Sequence, residues 1–240
     1  MSLGHRVVTA ALKHIPHLLC QVHDQDLDKV PMQGPLILVS NHINFLEIPI
    51  LYTHLQPRNV TTLAKTETWN NPVLAYLFDM GGAIRLRRGE ADVEAIRRAL
   101  AALAAGGILA IAPEGTRSNH GRLQRGNPGV GLLALRSGAP LMPLVFYGNE
   151  AYQRNVVRLR RTDFHIVVGR PFYIESHGTR VKGAVRQDIV DEIMYQLAAL
   201  LPPANRGEYA DLESATERYL RFPPDSRSNL TPECHGLGET

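Results

Sequence analysis

Leu36-Ile37-Leu38-Val39-Ser40-Asn41-His42-Ile43-Asn44-Phe45-Leu46-Glu47 opens with four consecutive apolar residues and passes at once into a polar turn. A run of that length bounded by turn residues predicts a strand buried on both faces. The same signature recurs at Val60–Ala64, Ala83–Leu86, Ile108–Ala112, Leu141–Phe146 and Phe164–Val168. Helical patterns separate several of these runs. Glu90–Ala105 has an acidic first turn and ends at Gly106-Gly107, and Gly129–Arg136 and Gly183–Leu201 follow. The alternation predicts an α/β fold with a mixed, largely parallel central sheet covered by helices.

Outward from that body, the chain divides into three parts. Residues 1–24 carry Val8, Ala11, Leu12, Ile15, Leu18, Leu19 and Val22 at three- and four-residue spacing, which predicts an amphipathic helix over 5–22 with Pro16 inside it. Such a helix suits either packing on its own domain or a membrane interface. Residues 25–203 form the main domain. Residues 204–240 form an acidic extension, with a short helical pattern at Leu212–Leu220 and a loose tail over 223–240.

The net charge of +3 is uneven. Four arginines against seven acids after residue 200 leave 22 basic against 16 acidic residues in the rest. Five arginines between Arg154 and Arg170 face one acid, Asp163, an excess that by charge alone suits anionic lipid, phosphate or nucleic acid, and equally a solvated face. These clusters lack the interleaved aromatics of a stacking surface, so nucleic acid is not the expected partner. Two cysteines, Cys20 and Cys234, make neither a disulfide framework nor a cysteine metal site and favour a reducing compartment. Lys13 and neighbouring histidines break any N-terminal apolar run, and no stretch approaches the roughly 18–20 apolar residues of a spanning helix. The expectation is a cytoplasmic protein, peripherally associated with a membrane, without a signal peptide or transmembrane helix.

Chemistry concentrates where apolar runs end. His42 and Glu47 are five positions apart, which on one regular helix turns them about 140° from each other. If His42 sits in the loop and the helix starts near Asn44, Glu47 can reach back to the ring. Imidazole is a competent base at neutral pH, worth ~10²–10⁴-fold when positioned, and a carboxylate would fix its tautomer. The same Asn44-x-x-Glu47 spacing also fits a capping box that only satisfies helix N–H groups.

Pro113-Glu114-Gly115-Thr116-Arg117-Ser118 follows the run Ile108–Ala112, and ligands gather at the carboxyl ends of strands in such sheets. Gly115 permits close backbone approach, Thr116 offers a hydroxyl, and Arg117 can grip a phosphate, although a plain turn with a surface arginine also fits. Gly81–Gly89 places Arg85, Arg87 and Arg88 at a third strand end, where alternation lets at least one arginine face a site while others face solvent, although in isolation a basic loop with no ligand is the better reading. No G-x-S-x-G, P-loop, G-x-G-x-x-G or H-E-x-x-H pattern is present. His14-x-x-His17 has ligand-like spacing but no third candidate nearby in sequence, and is read as a polar helix face without a metal.

Taken in order, these elements resemble the glycerolipid acyltransferases, whose best-known members are the 1-acylglycerol-3-phosphate acyltransferases. Asn41-His42 with Glu47 resembles the first block of that family, Gly82–Gly89 with Arg88 the second, Pro113–Ser118 the third and Pro140–Val145 with Pro143 the fourth. The likeness runs from Leu36 to Gly148, nearly half the chain. It implies a glycerolipid acyltransferase-like αβ fold and an O-acyltransferase of phospholipid biosynthesis. His42 would be the general base, Glu47 its orienting partner, and Arg88, Glu114, Gly115, Thr116 and Arg117 would bind substrate. Acyl-CoA or acyl carrier protein would be the donor and a lysophospholipid the acceptor, with neither metal nor cofactor. Glutamate stands where the family usually has aspartate, so a retracted helix or a different hydrogen bond must absorb its extra methylene. Arg125–Gly129 lacks the lysine often found there. The alternatives are another lysolipid, glycolipid or aminolipid acceptor, lipid-to-lipid transacylation, and a membrane-associated lipid-binding relative without turnover.

Overall fold

A computed structural model describes residues 3–87, 89 and 92–231. Its centre is a seven-stranded sheet of β1 (Cys20–His23), β2 (Leu36–Ser40), β3 (Val60–Lys65), β4 (Ile84–Leu86), β5 (Ile108–Ile111), β6 (Leu141–Tyr147) and β7 (Thr162–Val168). The strand order is β1-β7-β6-β2-β5-β3-β4. The strands from β6 to β4 run parallel, while β7 lies antiparallel to β6 and carries β1 parallel to itself. The mixed, largely parallel α/β architecture expected from the apolar runs is therefore present, with every expected strand in place.

All five residues of β2 are buried, and period-2 alternation divides them between two cores. Ile37 and Val39 join one core with residues of α4 (Val93–Ala104), α5 (Gly129–Ser137) and α7 (Ala184–Leu200). Leu36 and Leu38 join the other with Ile50 and Leu51 of α2 (Glu47–His54) and with Leu27. Burying each such Leu or Ile stabilises the fold by roughly 1.5–3 kcal/mol, which makes β2 a rigid platform for whatever leaves its carboxyl end.

Three local expectations are corrected. The N-terminal helix, α1 (Leu3–Leu19), stops before Cys20, because Cys20 and Val22 enter the parallel ladder with Thr162 and Phe164. That pairing overrides the helical spacing. The pattern at Leu212–Leu220 yields one 3-10 turn at Leu212–Ser214, after which Leu220 and Arg221 form β9 against β8 (Tyr173–Ile174). Residues 223–231 are not loose: Gln196 Oε1 accepts from the Asn229 backbone N–H at 2.9 Å and from its side chain at 2.9 Å. The remainder of the tail, 232–240, lies outside the described residues. So does the expected helix start at Glu90, and α4 is instead capped by Asp92, whose Oδ1 accepts from the Ala95 N–H at 3.0 Å.

The segment after α7 buckles back onto the loop beyond β5. Leu123 N–H donates to Asn205 O at 3.0 Å, and Glu208 N–H donates to Leu123 O at 3.2 Å. The buried Tyr209 hydroxyl accepts from Gly126 N–H at 3.1 Å and donates to Asp191 Oδ1 at 2.8 Å. Two further helices, α3 (Pro72–Met80) and α6 (Tyr152–Val157), lie on connections between strands.

Gly148 ends β6 with φ +87°, and a Cβ there would stand 2.4 Å from Asp163 O. Both the dihedral and the contact demand glycine. Gly148→Ala is expected to cost about 1–3 kcal/mol, measured as a lowered urea midpoint with unchanged denaturant slope. An unshifted midpoint would contradict this account of the turn.

Candidate active site

His42 leaves the carboxyl end of β2, Glu114 the end of β5 and Asn149 the end of β6, so three neighbouring parallel strands deliver one polar cluster. Asn41 fixes the exit. Its side-chain amide donates to Phe146 O at 2.8 Å and accepts from Phe146 N–H at 2.8 Å, extending the β2–β6 pairing by one side chain.

The helix does not start near Asn44. Asn44–Leu46 form a bend, and α2 opens at Glu47 itself. The Asn44 side chain accepts from Leu46 N–H at 2.9 Å, a local bond that competes with helix formation. Glu47, 2% exposed, then uses each oxygen differently. Oε2 lies 2.5 Å from His42 Nδ1. Oε1 accepts from Ile43 N–H at 2.9 Å, Asn44 N–H at 2.8 Å and the Asn149 side-chain amide at 3.0 Å. Orienting the ring and capping the backbone are thus not alternatives, because one carboxylate does both. The helix starts three residues later than expected, and the carboxylate fills the bend ahead of it with these bonds. Four donors and the first turn of α2 surround this carboxylate. With Nδ1 donating to Oε2, Nε2 of His42 is left open, on a side chain 24% exposed.

The loop after β5 grips His42 by its backbone. His42 N–H donates to Glu114 Oε1 at 3.1 Å, and Ser118 N–H donates to His42 O at 2.8 Å. Glu114 Oε2 accepts from Gln124 N–H at 2.9 Å and from the Gln124 side chain at 3.3 Å. Burial pushes the Glu114 carboxyl up to about 7, against the pull of these donors toward the charged form. Gly115 adopts φ +68°, and Asn127 clamps the turn by donating to Glu114 O at 2.9 Å. Thr116 and Arg117 emerge exposed from it.

Of the expected site residues, His42, Glu47 and Glu114 are brought together, with Glu114 turned toward the His42 backbone. Gly115, Thr116 and Arg117 sit on the adjoining turn. Arg88 lies outside the described residues. Arg85 is engaged on the surface, over the Trp69 ring at 4.7 Å and 3.9 Å from Asp79. Sequence reasoning missed Asn149 and Gln124. Asn149 is fully buried, holds Glu47 and accepts from the Asn44 side chain through its carbonyl at 2.8 Å, yet its own Oδ1 has no partner. The signal available was Gly148-Asn149, a turn directly after a buried strand.

A family model described as Acyltransferase matches residues 21–147. A chloroplastic 1-acyl-sn-glycerol-3-phosphate acyltransferase of Brassica napus is 28% identical over 155 residues, 62% of this chain and 44% of that one. A lyso-ornithine lipid O-acyltransferase of Pseudomonas aeruginosa is 31% identical over 124 residues, 51% of this chain and 45% of that one. The chain thus spans less than half the length of these relatives. The crystal structure of the 1-acyl-sn-glycerophosphate acyltransferase of Thermotoga maritima superposes with TM-score 0.59 at 21% identity, covering 79% of this chain and 76% of that chain, which shows a shared fold.

Glu114 gives the site a pH signature. Its folded pKa lies above the ordinary carboxyl value of 4.5, so the folded state holds a proton that the unfolded chain releases between pH 4.5 and about 7. Stability from this group is present below that window and is lost as pH rises through it. Urea titrations at pH 4.5 and 8 should show wild type losing up to about 3 kcal/mol relative to Glu114→Gln across the window. A difference independent of pH would refute the assignment.

Proposed function

Because the chain belongs to the acyltransferase family, we propose that it transfers a fatty acyl group from an acyl thioester to the hydroxyl of a lysolipid, with 1-acyl-glycerol-3-phosphate as acceptor. The observation that carries the reading is the His42–Glu47 pair, held at the carboxyl edge of the sheet with Nε2 left open. In the proposed reaction Nε2 takes the hydroxyl proton as the acceptor oxygen attacks the thioester carbonyl. The carbon–sulfur bond breaks as the new ester forms, and the leaving thiolate recovers the proton from the imidazolium. Glu47 stabilises that imidazolium without itself moving a proton. Glu114 acts through the His42 backbone as a positioning group, while Arg88, Thr116 and Arg117 hold the acceptor headgroup.

Either acyl-CoA or acyl carrier protein serves as donor in this reading, and the product enters phospholipid synthesis. The acceptor is met at a membrane surface, for which exposed Phe45, Val73, Leu74 and Tyr76 provide apolar contact. No helix among the described residues is long and apolar enough to cross a membrane, which is compatible with peripheral attachment. One observation favours a second acceptor class: the similarity to the lyso-ornithine lipid enzyme extends the choice to aminolipids.

Acyl transfer measured with both donors over a panel of lysophosphatidate, other lysophospholipids and lyso-aminolipids decides the acceptor. His42→Ala should lower the rate ~10²–10⁴-fold while vesicle binding persists. Full activity in that variant would sink the mechanism, and an inactive wild type that still binds lipid would leave a binding protein. Glu47→Asp should also lower kcat by about tenfold or more, because the shorter side chain cannot both reach Nδ1 and cap Ile43 and Asn44. An unchanged kcat would overturn that geometric claim.

A further inference from the structure

His17, read from sequence as a polar helix residue with no third ligand near it, acquires two partners in the fold. Near the end of α1, its Nε2 stands 3.1 Å from His54 Nε2, at the end of α2, and 3.6 Å from Asp24 Oδ2, in the turn after β1. His54 Nε2 is in turn 3.1 Å from the same Asp24 oxygen. Three potential ligand atoms from three separate elements therefore converge on one point.

The tautomer of His54 gives the cluster its meaning. His54 Nδ1 lies 2.9 Å from Ile50 O, one turn back on α2, and 3.2 Å from Thr53 Oγ1, whose own hydrogen goes to Pro49 O at 2.8 Å; both neighbours accept, so Nδ1 carries the proton. In the neutral ring Nε2 then presents a lone pair to a carboxylate oxygen that presents another. A hydrogen from His17 can relieve one edge of the triangle but not both edges at His54. A cation at the centre satisfies all three atoms at once. The edges of 3.1, 3.1 and 3.6 Å also match the dimensions required. A four-coordinate zinc with bonds of ~2.0–2.1 Å sets its ligand atoms about 3.3 Å apart. A backbone carbonyl behind a ligating imidazole is the usual outer support of such a site.

We propose that His17, Asp24 and His54 form a binding site for a zinc-class divalent transition ion, with solvent or a further ligand in the fourth position. The donor set of two imidazoles and one carboxylate suits zinc, cobalt or nickel and not calcium or magnesium, which prefer all-oxygen shells. All three side chains are partly exposed, at 36%, 22% and 16%, so the ion has a path of entry. The site lies at the opposite end of α2 from Glu47, seven residues or ~10 Å along the helix axis. Its role is therefore to fasten the amphipathic α1 to α2 and to the turn at Asp24, away from the reacting atoms.

The test uses the full chain without an affinity tag, stripped with chelator and dialysed against zinc. Wild type is expected to retain one zinc per chain, and cobalt substitution should give the intense visible bands of a tetrahedral site. Asp24→Asn and His54→Gln, both near-isosteric, should weaken zinc at least ~10-fold and abolish the rise in Tm that zinc gives wild type. Folded wild type that takes up no zinc would overturn the proposal and leave a triad held by hydrogen bonds alone. Zinc held equally by wild type and both variants would overturn it too, by placing the ion elsewhere.

Discussion

The buried carboxylate of Glu47 is the interaction on which the site is built. It sits where a rigid strand ends and a helix begins, and its two oxygens tie the strand exit, the helix start and the turn after β6 into one junction. Removing it would leave the buried Ile43 N–H and Asn149 amide without an acceptor, at roughly 1–3 kcal/mol for each one left unmade. Structural necessity and ring orientation thus reside in the same atoms. Mutational loss of activity at Glu47 reports both unless stability is measured beside it.

A second carboxylate, Glu114, works on the same histidine from the opposite side. Glu47 has four donors, whereas Glu114 has three and burial pushes its carboxyl up to about 7. The loop after β5 fixes the backbone of His42 through Glu114 while its tip, Thr116 and Arg117, stays in solvent. The rigid part of the loop positions, and the exposed part is free to meet a ligand.

The sheet was legible because unbroken apolar runs such as Leu36–Val39 and Ile108–Ala112 admit few readings when both faces are covered. His42, Glu47 and Glu114 were legible because they follow such runs directly. The start of α2 was not, since it depends on Oε1 of Glu47 capturing two backbone N–H groups, a tertiary choice that no propensity encodes. Asn149 escaped for the same reason, being 102 positions from the carboxylate it holds. β1 was hidden because Cys20–Val22 continues the apolar spacing of α1, and only the edge of β7, some 142 residues later, converts it to strand. The cluster at His17 likewise needs α1, β1 and α2 to be folded before it exists.

The buckle between Leu123 and residues 205–209 ties the candidate site to chain far beyond it in sequence. The family match ends at residue 147, yet Gln124, which steadies Glu114, is adjacent to a residue held on both sides by the chain beyond α7. Gly207 packs so closely on Leu123 that a Cβ there would lie 2.0 Å from its carbonyl oxygen. In this chain the segment 21–147 therefore leans on residues well beyond it. Cut out at residue 147, it would keep the histidine and lose the strap that holds the loop beside it.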